Sequence, residues 1–265
     1  MGELTPEDIL DAYQMGLFPM AEHATDEDVY WVSPVMRGVI PLDGFHVSHS
    51  LRKFLKRRPF RVTINRAFGA VMAGCAAQSE GRDETWINSQ ILQVYNTLHN
   101  MGYTHSIECW DEENALVGGL YGVAINGAFF GESMFSRVPN ASKVALVHLV
   151  TRLKLRGYRL LDCQFLNEHL KQFGCIEIPR EEYHSLLAGA LSAEGVSFVS
   201  ASDSEAGSSA MYSSSAASVA EGASAAGASS VGPDSVPDSG VGAVLSCDSD
   251  WDVALGSLQS STVTS

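Results

Sequence analysis

The chain has 265 residues, room for one large or two modest domains, and its 45% hydrophobic content is ample for a packed core. Its net charge of −14 overstates the acidity of the body: from Val199 onward there are eight acids and no base, which leaves 17 bases against 23 acids, or −6, for residues 1–198. Five scattered cysteines with no C-x-x-C pair argue against a structural zinc site, and the acidic start and the lack of any apolar run near 18 residues predict a soluble, cytosolic protein with no membrane partner.

In chain order, Thr5-Pro6-Glu7-Asp8 is a helix start: Thr5 as N-cap, Pro6 at the first helical position and Asp8 completing a capping box. Ile9, Leu10, Tyr13 and Leu17 give its apolar face, and Gly16 and Pro19 end it. A second helix starts at Ser48 or Ser50, buries Leu51, Phe54 and Leu55, and stops before Pro59. Six bases follow one another from Arg52 to Arg61 without an acid: Arg52, Lys53, Lys56, Arg57, Arg58 and Arg61. On a helix, 52, 53, 56 and 57 share a face, which reads either as a solvated surface or as contact with a polyanion such as nucleic acid.

Residues 60–65 alternate with a period of two, as a strand does, and Phe68, Val71, Met72 and Cys75 recur at helical spacing. Ile91, Leu92, Tyr95 and Leu98 mark another helix, closed by Gly102. Strands are expected at 105–111, 116–125 and 128–136, the last two joined by an Asn126-Gly127 turn. A helix over 141–156, a strand over 159–165 and a short helix over 167–173 complete a mixed α/β sheet, of the α+β type. Residues 1–58 would form a small N-terminal domain with the basic helix, 59–194 the main domain, and 195–265, rich in Ser, Ala and Gly, a disordered tail.

Two strands carry an acid among apolar residues, which is costly without a purpose or a partner. Asp162 and Gln164, two apart, should project together from their strand, with Leu161 and Cys163 facing the other way. Asp162 could alternatively cap the next helix or pair with an arginine. Glu132 sits among aromatic residues and could serve a site or pair with Arg137 or Lys143; Gly131 beside it suggests a bulge. Trp31 and Trp86 read as core residues or stacking platforms. The histidines, His46, His49, His105, His148 and His169 among them, form no metal pattern and read as structural or surface residues. No P-loop, G-x-G-x-x-G or G-x-S-x-G is present, so no cofactor or metal is expected.

Several longer stretches resemble the bacterial leucyl/phenylalanyl-tRNA–protein transferase family: residues 12–20 (AYQMGLFPM), 30–34 (YWVSP), 45–50 (FHVSHS), 85–87 (TWI), 105–108 (HSIE), 116–123 (LVGGLYGV), 131–137 and 161–165 (LDCQF). The likeness covers about 4–188 in order. It implies a GNAT-like sheet, largely antiparallel, and an enzyme that moves Leu or Phe, sometimes Met, from aminoacyl-tRNA to proteins beginning with Arg or Lys, marking them for degradation in the N-degron pathway. By this resemblance Asp162 polarises Gln164, whose carbonyl helps take the proton from the attacking amine, and Glu132 holds the cationic acceptor side chain. Asp162 could share that second task. Phe129, Met134, Leu146, Leu149 and Leu161, with Leu120 close by, would line the pocket for the donor side chain. Trp31 and Trp86 would flank the 3′ adenosine, and the bases from Arg52 to Arg61 would contact tRNA phosphates. Two other readings stand beside it: a leucyl-transferase acting on acidic N-termini, and an inactive tRNA-binding protein.

Overall fold

The computed structural model describes residues 4–23, 28–77 and 85–199. Helix α1 (Pro6–Gln14) opens with the complete capping box: Thr5 Oγ1 accepts from the Asp8 N–H, and the Asp8 carboxylate accepts from the Thr5 N–H. Left-handed Gly16 then turns the chain into β1 (Phe18–Met20), which pairs antiparallel with β2 (Tyr30–Val32). β3 (Met36–Val39) leads to α2 (His49–Leu55), capped by Ser48 accepting from the Leu51 N–H at 3.3 Å. Next come β4 (Arg61–Ile64), α3 (Phe68–Ala76) and α4 (Ser89–Asn100), whose cap is Asn88. β5 (Thr104–Trp110), β6 (Leu116–Ile125) and β7 (Ala128–Ser136) form a meander. The chain ends its described part with α5 (Ala141–Leu155), β8 (Leu160–Gln164), α6 (Glu168–Lys171), β9 (Ile176–Pro179) and α7 (Arg180–Leu191).

Among the described residues, seven strands form one mixed sheet in the order β4-β5-β6-β7-β8-β3-β9. Only β7 and β8 run parallel, because α5 carries the chain back between them; every other neighbour is antiparallel. Tyr121, Val123 and Ile125, two apart on β6, bury one face against Ile9 and Tyr13 of α1, Val71 and Met72 of α3, and Ile91 and Leu98 of α4. Helix α5 packs on β5, β6 and β7 and is buried through most of its length. Each aliphatic side chain so buried contributes about 1.5–3 kcal/mol.

The mixed, largely antiparallel sheet flanked by helices matches the sequence expectation. Residues 36–39, inside the segment read as a separate small N-terminal region, are β3, an interior strand of the main sheet. Strands β1, β2, β3 and β9 are only three or four residues long and carry no legible alternation, and α7 is a further helix beyond those expected from the sequence. Residues 200–265, which hold nearly all of the segment expected to be disordered, lie outside the described residues.

Candidate active site

The parallel ladder between β7 and β8 runs from Ala128 opposite Leu160 to Phe130 opposite Asp162 and stops, although both strands continue. Each strand carries an extra residue where the ladder ends. On β7, Ser133 pairs with Tyr121 and Gly131 with Gly122, which leaves Glu132 as the bulged residue. On β8, Asp162 pairs with Val39 and Gln164 with Gly38, which leaves Cys163 unpaired. Gln164 is left-handed, with φ 63°, a conformation that costs a residue with a side chain roughly 1–2 kcal/mol. The chain then folds back so closely that a Cβ on Gly38 would lie 2.7 Å from the Phe165 carbonyl carbon, so that position requires glycine. Bulges re-aim side chains, and here two of them part neighbouring strands.

The gap is a cavity of about 390 Å³, within the size range of small-molecule sites. Leu120, Met134, Leu146, Leu149, Leu161 and Leu170 give it an apolar wall; Glu132, Ser133, Gln164, Asn167 and His169 supply polar groups. Met20 and Trp86 also line it.

The polar end is organised around Glu132. Its Oε1 accepts from the Tyr13 hydroxyl at 2.6 Å and from Gln164 Nε2 at 2.9 Å, and Tyr95 Oη lies 3.5 Å from Oε2. The two tyrosine hydroxyls are 2.5 Å apart. Burial raises the Glu132 carboxyl to about 7, and Asp162 adds to the rise; the hydrogen bonds from Tyr13 and Gln164, and the charge of Arg37, pull it down. Burial also drives the Tyr13 and Tyr95 hydroxyls far above their ordinary range, with Glu132 reinforcing the shift, so both stay protonated and act as donors. Glu132 therefore sits near its midpoint at neutral pH, and an incoming cation would favour its charged form.

Behind β8 lies a second, closed cluster. Arg37 of β3 grips Asp162 with Nε to Oδ1 at 2.9 Å and Nη2 to Oδ2 at 2.6 Å, and both side chains are almost fully buried. Nη1 of Arg37 donates to the Gly16 carbonyl at 3.0 Å, and its guanidinium lies 4.6 Å and 4.5 Å from the ring centroids of Phe18 and Tyr183. The Tyr183 hydroxyl of α7 donates to Asp162 Oδ2 at 2.8 Å, and the Gln164 backbone N–H donates to Oδ1 at 2.8 Å. Burial disfavours the Arg37 charge, but Asp162 outweighs it and raises its pKa. With both oxygens occupied, Asp162 is a bracket that holds Gln164 in its left-handed turn.

The family model described as leucyl/phenylalanyl-tRNA protein transferase matches residues 39–188, the span that holds both carboxylates and all the cavity lining except Met20, and the model of that family's N-terminal domain matches 2–35. Proteins named leucyl/phenylalanyl-tRNA–protein transferase are 55% identical in Rhodospirillum rubrum, over 74% of this chain and 91% of that one, and in Rhodopseudomonas palustris, over 72% and 85%. The protein of that name in Phenylobacterium zucineum is likewise 55% identical, over 73% of this chain and 87% of its own. The chain belongs to the leucyl/phenylalanyl-tRNA protein transferase family.

Of the residues expected at the site, Glu132, Gln164, Leu120, Met134, Leu146, Leu149, Leu161 and Trp86 converge on the cavity. Phe129 is not among its lining residues: it is buried beside the cavity, its ring 5.2 Å from Phe198. Trp31 is 40% exposed on β2 and does not line the cavity with Trp86. The expected pairing of the Asp162 and Gln164 side chains does not form. The bulge and the left-handed turn break the period of two, swinging the Gln164 carboxamide to Glu132 on the Leu161 side while Asp162 stays with Arg37. Nor does Glu132 pair with Arg137 or Lys143, whose side chains bond the Leu116 carbonyl and Gln172.

The basic run is less helical than its spacing suggests, because α2 ends at Leu55 and Lys56, Arg57 and Arg58 sit in the turn that follows. Lys53, Lys56, Arg57 and Arg58 are exposed. Arg52 donates to the Val47 carbonyl at 2.9 Å, and Arg61 lies over the Trp110 ring and bonds Asn114. Sequence reasoning missed Tyr13, Tyr95, Arg37 and Tyr183, the residues that set the two carboxylates. Tyr13 and Tyr95 are legible only as members of apolar helix faces, Tyr13 also within a family motif, and Arg37 and Tyr183 by no signal.

Proposed function

We propose that this chain transfers leucine or phenylalanine from aminoacyl-tRNA to the amino terminus of proteins that begin with Arg or Lys, thereby marking them for degradation. The observation that carries the reading is the cavity between β7 and β8, with a leucine-rich wall on one side and Glu132 bonded to Gln164 on the other. The apolar wall suits the donor side chain. A carboxylate near its midpoint suits a cationic acceptor, whose charge stabilises the ionised form of Glu132 at the moment of binding.

In the reaction the acceptor's α-amine attacks the ester carbonyl, a C–N bond forms, the C–O bond to the ribose breaks, and the amine proton ends on the ribose oxygen. The ester is already activated and a free α-amine has a pKa of roughly 7.7–8, so positioning supplies most of the rate. Gln164 donates through Nε2 to Glu132, which leaves its carbonyl oxygen to accept a hydrogen bond from the amine. Asp162 contributes by holding Gln164, with Arg37 and Tyr183 holding Asp162. Trp86 fits a stacking role for the terminal adenine, and the exposed bases of residues 53–58 fit contact with the tRNA backbone.

The rival reading, transfer to acidic N-termini, is disfavoured by Glu132, which would repel an acidic acceptor. Incubation with leucyl-tRNA and peptides beginning with Arg, Lys, Asp or Ala, read by mass, tests the proposal. The Arg and Lys peptides should each gain one leucine. Transfer to Asp alone would select the rival, and transfer to none would end the enzyme reading.

A further inference from the structure

Among the polar groups of the cavity wall, His169, on α6, has no task in this mechanism but carries a buried nitrogen, Nε2, without a hydrogen-bond partner. The ring is held from behind: it lies edge-on to Phe173 at 5.7 Å, and Phe173 stacks on Phe45 at 5.6 Å. Its backbone is held as well, since Gln172 Nε2 donates to the His169 carbonyl at 2.8 Å while Lys143 Nζ donates to Gln172 Oε1 at 2.9 Å. A buried nitrogen left unpaired is a standing cost, and such groups call for a partner that arrives with a ligand.

The character of that partner follows from the surroundings. Burial and the nearby Lys143 charge both disfavour the imidazolium, so the ring is neutral and offers one donor and one acceptor. A phosphate or an ester carbonyl can only accept, whereas a hydroxyl matches a neutral imidazole in both senses. Under the transferase reading, the leucine wall takes the donor side chain and Glu132 takes the acceptor. The donor's remaining polar piece between its aminoacyl group and its base is the ribose.

We propose that Nε2 of His169 hydrogen-bonds the free ribose hydroxyl beside the aminoacyl ester, a contact that orients the donor; the assignment rests on the transferase reading above. The test compares phenylalanyl-tRNA acylated at the 3′ oxygen and ending in adenosine with the same tRNA ending in 2′-deoxyadenosine, using the full chain and an Arg-initiated peptide. Wild type should lose about tenfold in kcat/KM when the hydroxyl is removed. His169→Phe keeps the contact with Phe173 but has no nitrogen; it should be about tenfold weaker with the ribose donor and use both donors equally, with the KM for the peptide unchanged. His169→Gln, which again carries a donor and an acceptor, should restore part of the preference. His169→Ala, read with the same pair, serves where the phenylalanine variant does not fold. An unchanged preference for the hydroxyl in the Phe or Ala variant overturns the assignment, as does a wild type that uses both donors equally. A wild type that transfers from neither donor overturns the transferase reading instead.

Discussion

Glu132→Gln should make the protein more stable and less able to use a basic acceptor, and the two effects share one cause. The carboxyl titrates near 7 in the folded chain against 4.5 for an unburied glutamate. A carboxyl whose pKa is raised by folding is held protonated by the native state, so stability is highest below 4.5 and falls as pH rises through 7. Two to three pH units of mismatch correspond to about 3 kcal/mol at pH 8, an upper value because the group borders an open cavity. Glutamine imitates the protonated form: its Oε1 can still accept from Tyr13 and Gln164, and its amide can face Tyr95. Urea unfolding should therefore show the variant more stable than wild type by up to about 3 kcal/mol at pH 8, with a midpoint about 1 M higher, and equal to it at about pH 4.5. In the wild type, KM for an Arg-initiated peptide should fall as pH rises to about 7 and then level off; in the variant it should be high and independent of pH. A variant that is no more stable than wild type at pH 8 would refute the placement of a buried, uncompensated carboxylate at this position.

The buried pair behind β8 makes a different prediction: Arg37→Ala should cost about 3–5 kcal/mol because it strands the Asp162 charge, and calorimetry should find the Arg37→Met, Asp162→Leu double variant closer to wild type than either single removal. That double variant should nevertheless transfer poorly, since nothing then holds the Gln164 N–H. Gln164→Gly relieves a left-handed residue and should unfold at equal or higher denaturant than wild type while its transfer rate collapses, a pairing that a merely structural glutamine would not produce. Leu149→Trp, which fills the apolar wall, should raise KM for the aminoacyl-tRNA by roughly tenfold or more and leave KM for the peptide unchanged. Reversing Lys53, Lys56 and Arg57 to Glu should weaken tRNA binding and flatten its salt dependence, the log–log slope falling by about one unit for every phosphate that those bases had neutralised.

Much of this protein is written locally in its chain. The capping box at Thr5 to Asp8, the alternation along β4, the Asn126-Gly127 hairpin and the long helix after Asn140 depend on residues a few positions apart, and each appears where the pattern put it. Local signals also singled out both acids, while Met134, Leu120, Leu146, Leu149 and Leu161 of the apolar wall were named only by the resemblance to a known family. What local pattern could not supply was the partner of each acid. Arg37 reaches Asp162 across 125 positions and Tyr13 reaches Glu132 across 119, so neither contact leaves a trace in spacing. The short strand β3 is held by β8 on one side and β9 on the other, and too few residues repeat in β3 and β9 to show a period. The bulges at Glu132 and Cys163 decide which way each side chain points, since one extra residue inverts the alternation that a strand would otherwise impose. Residue type thus declared that two carboxylates matter; only the packed sheet assigned one to the cavity and the other to the bracket behind it.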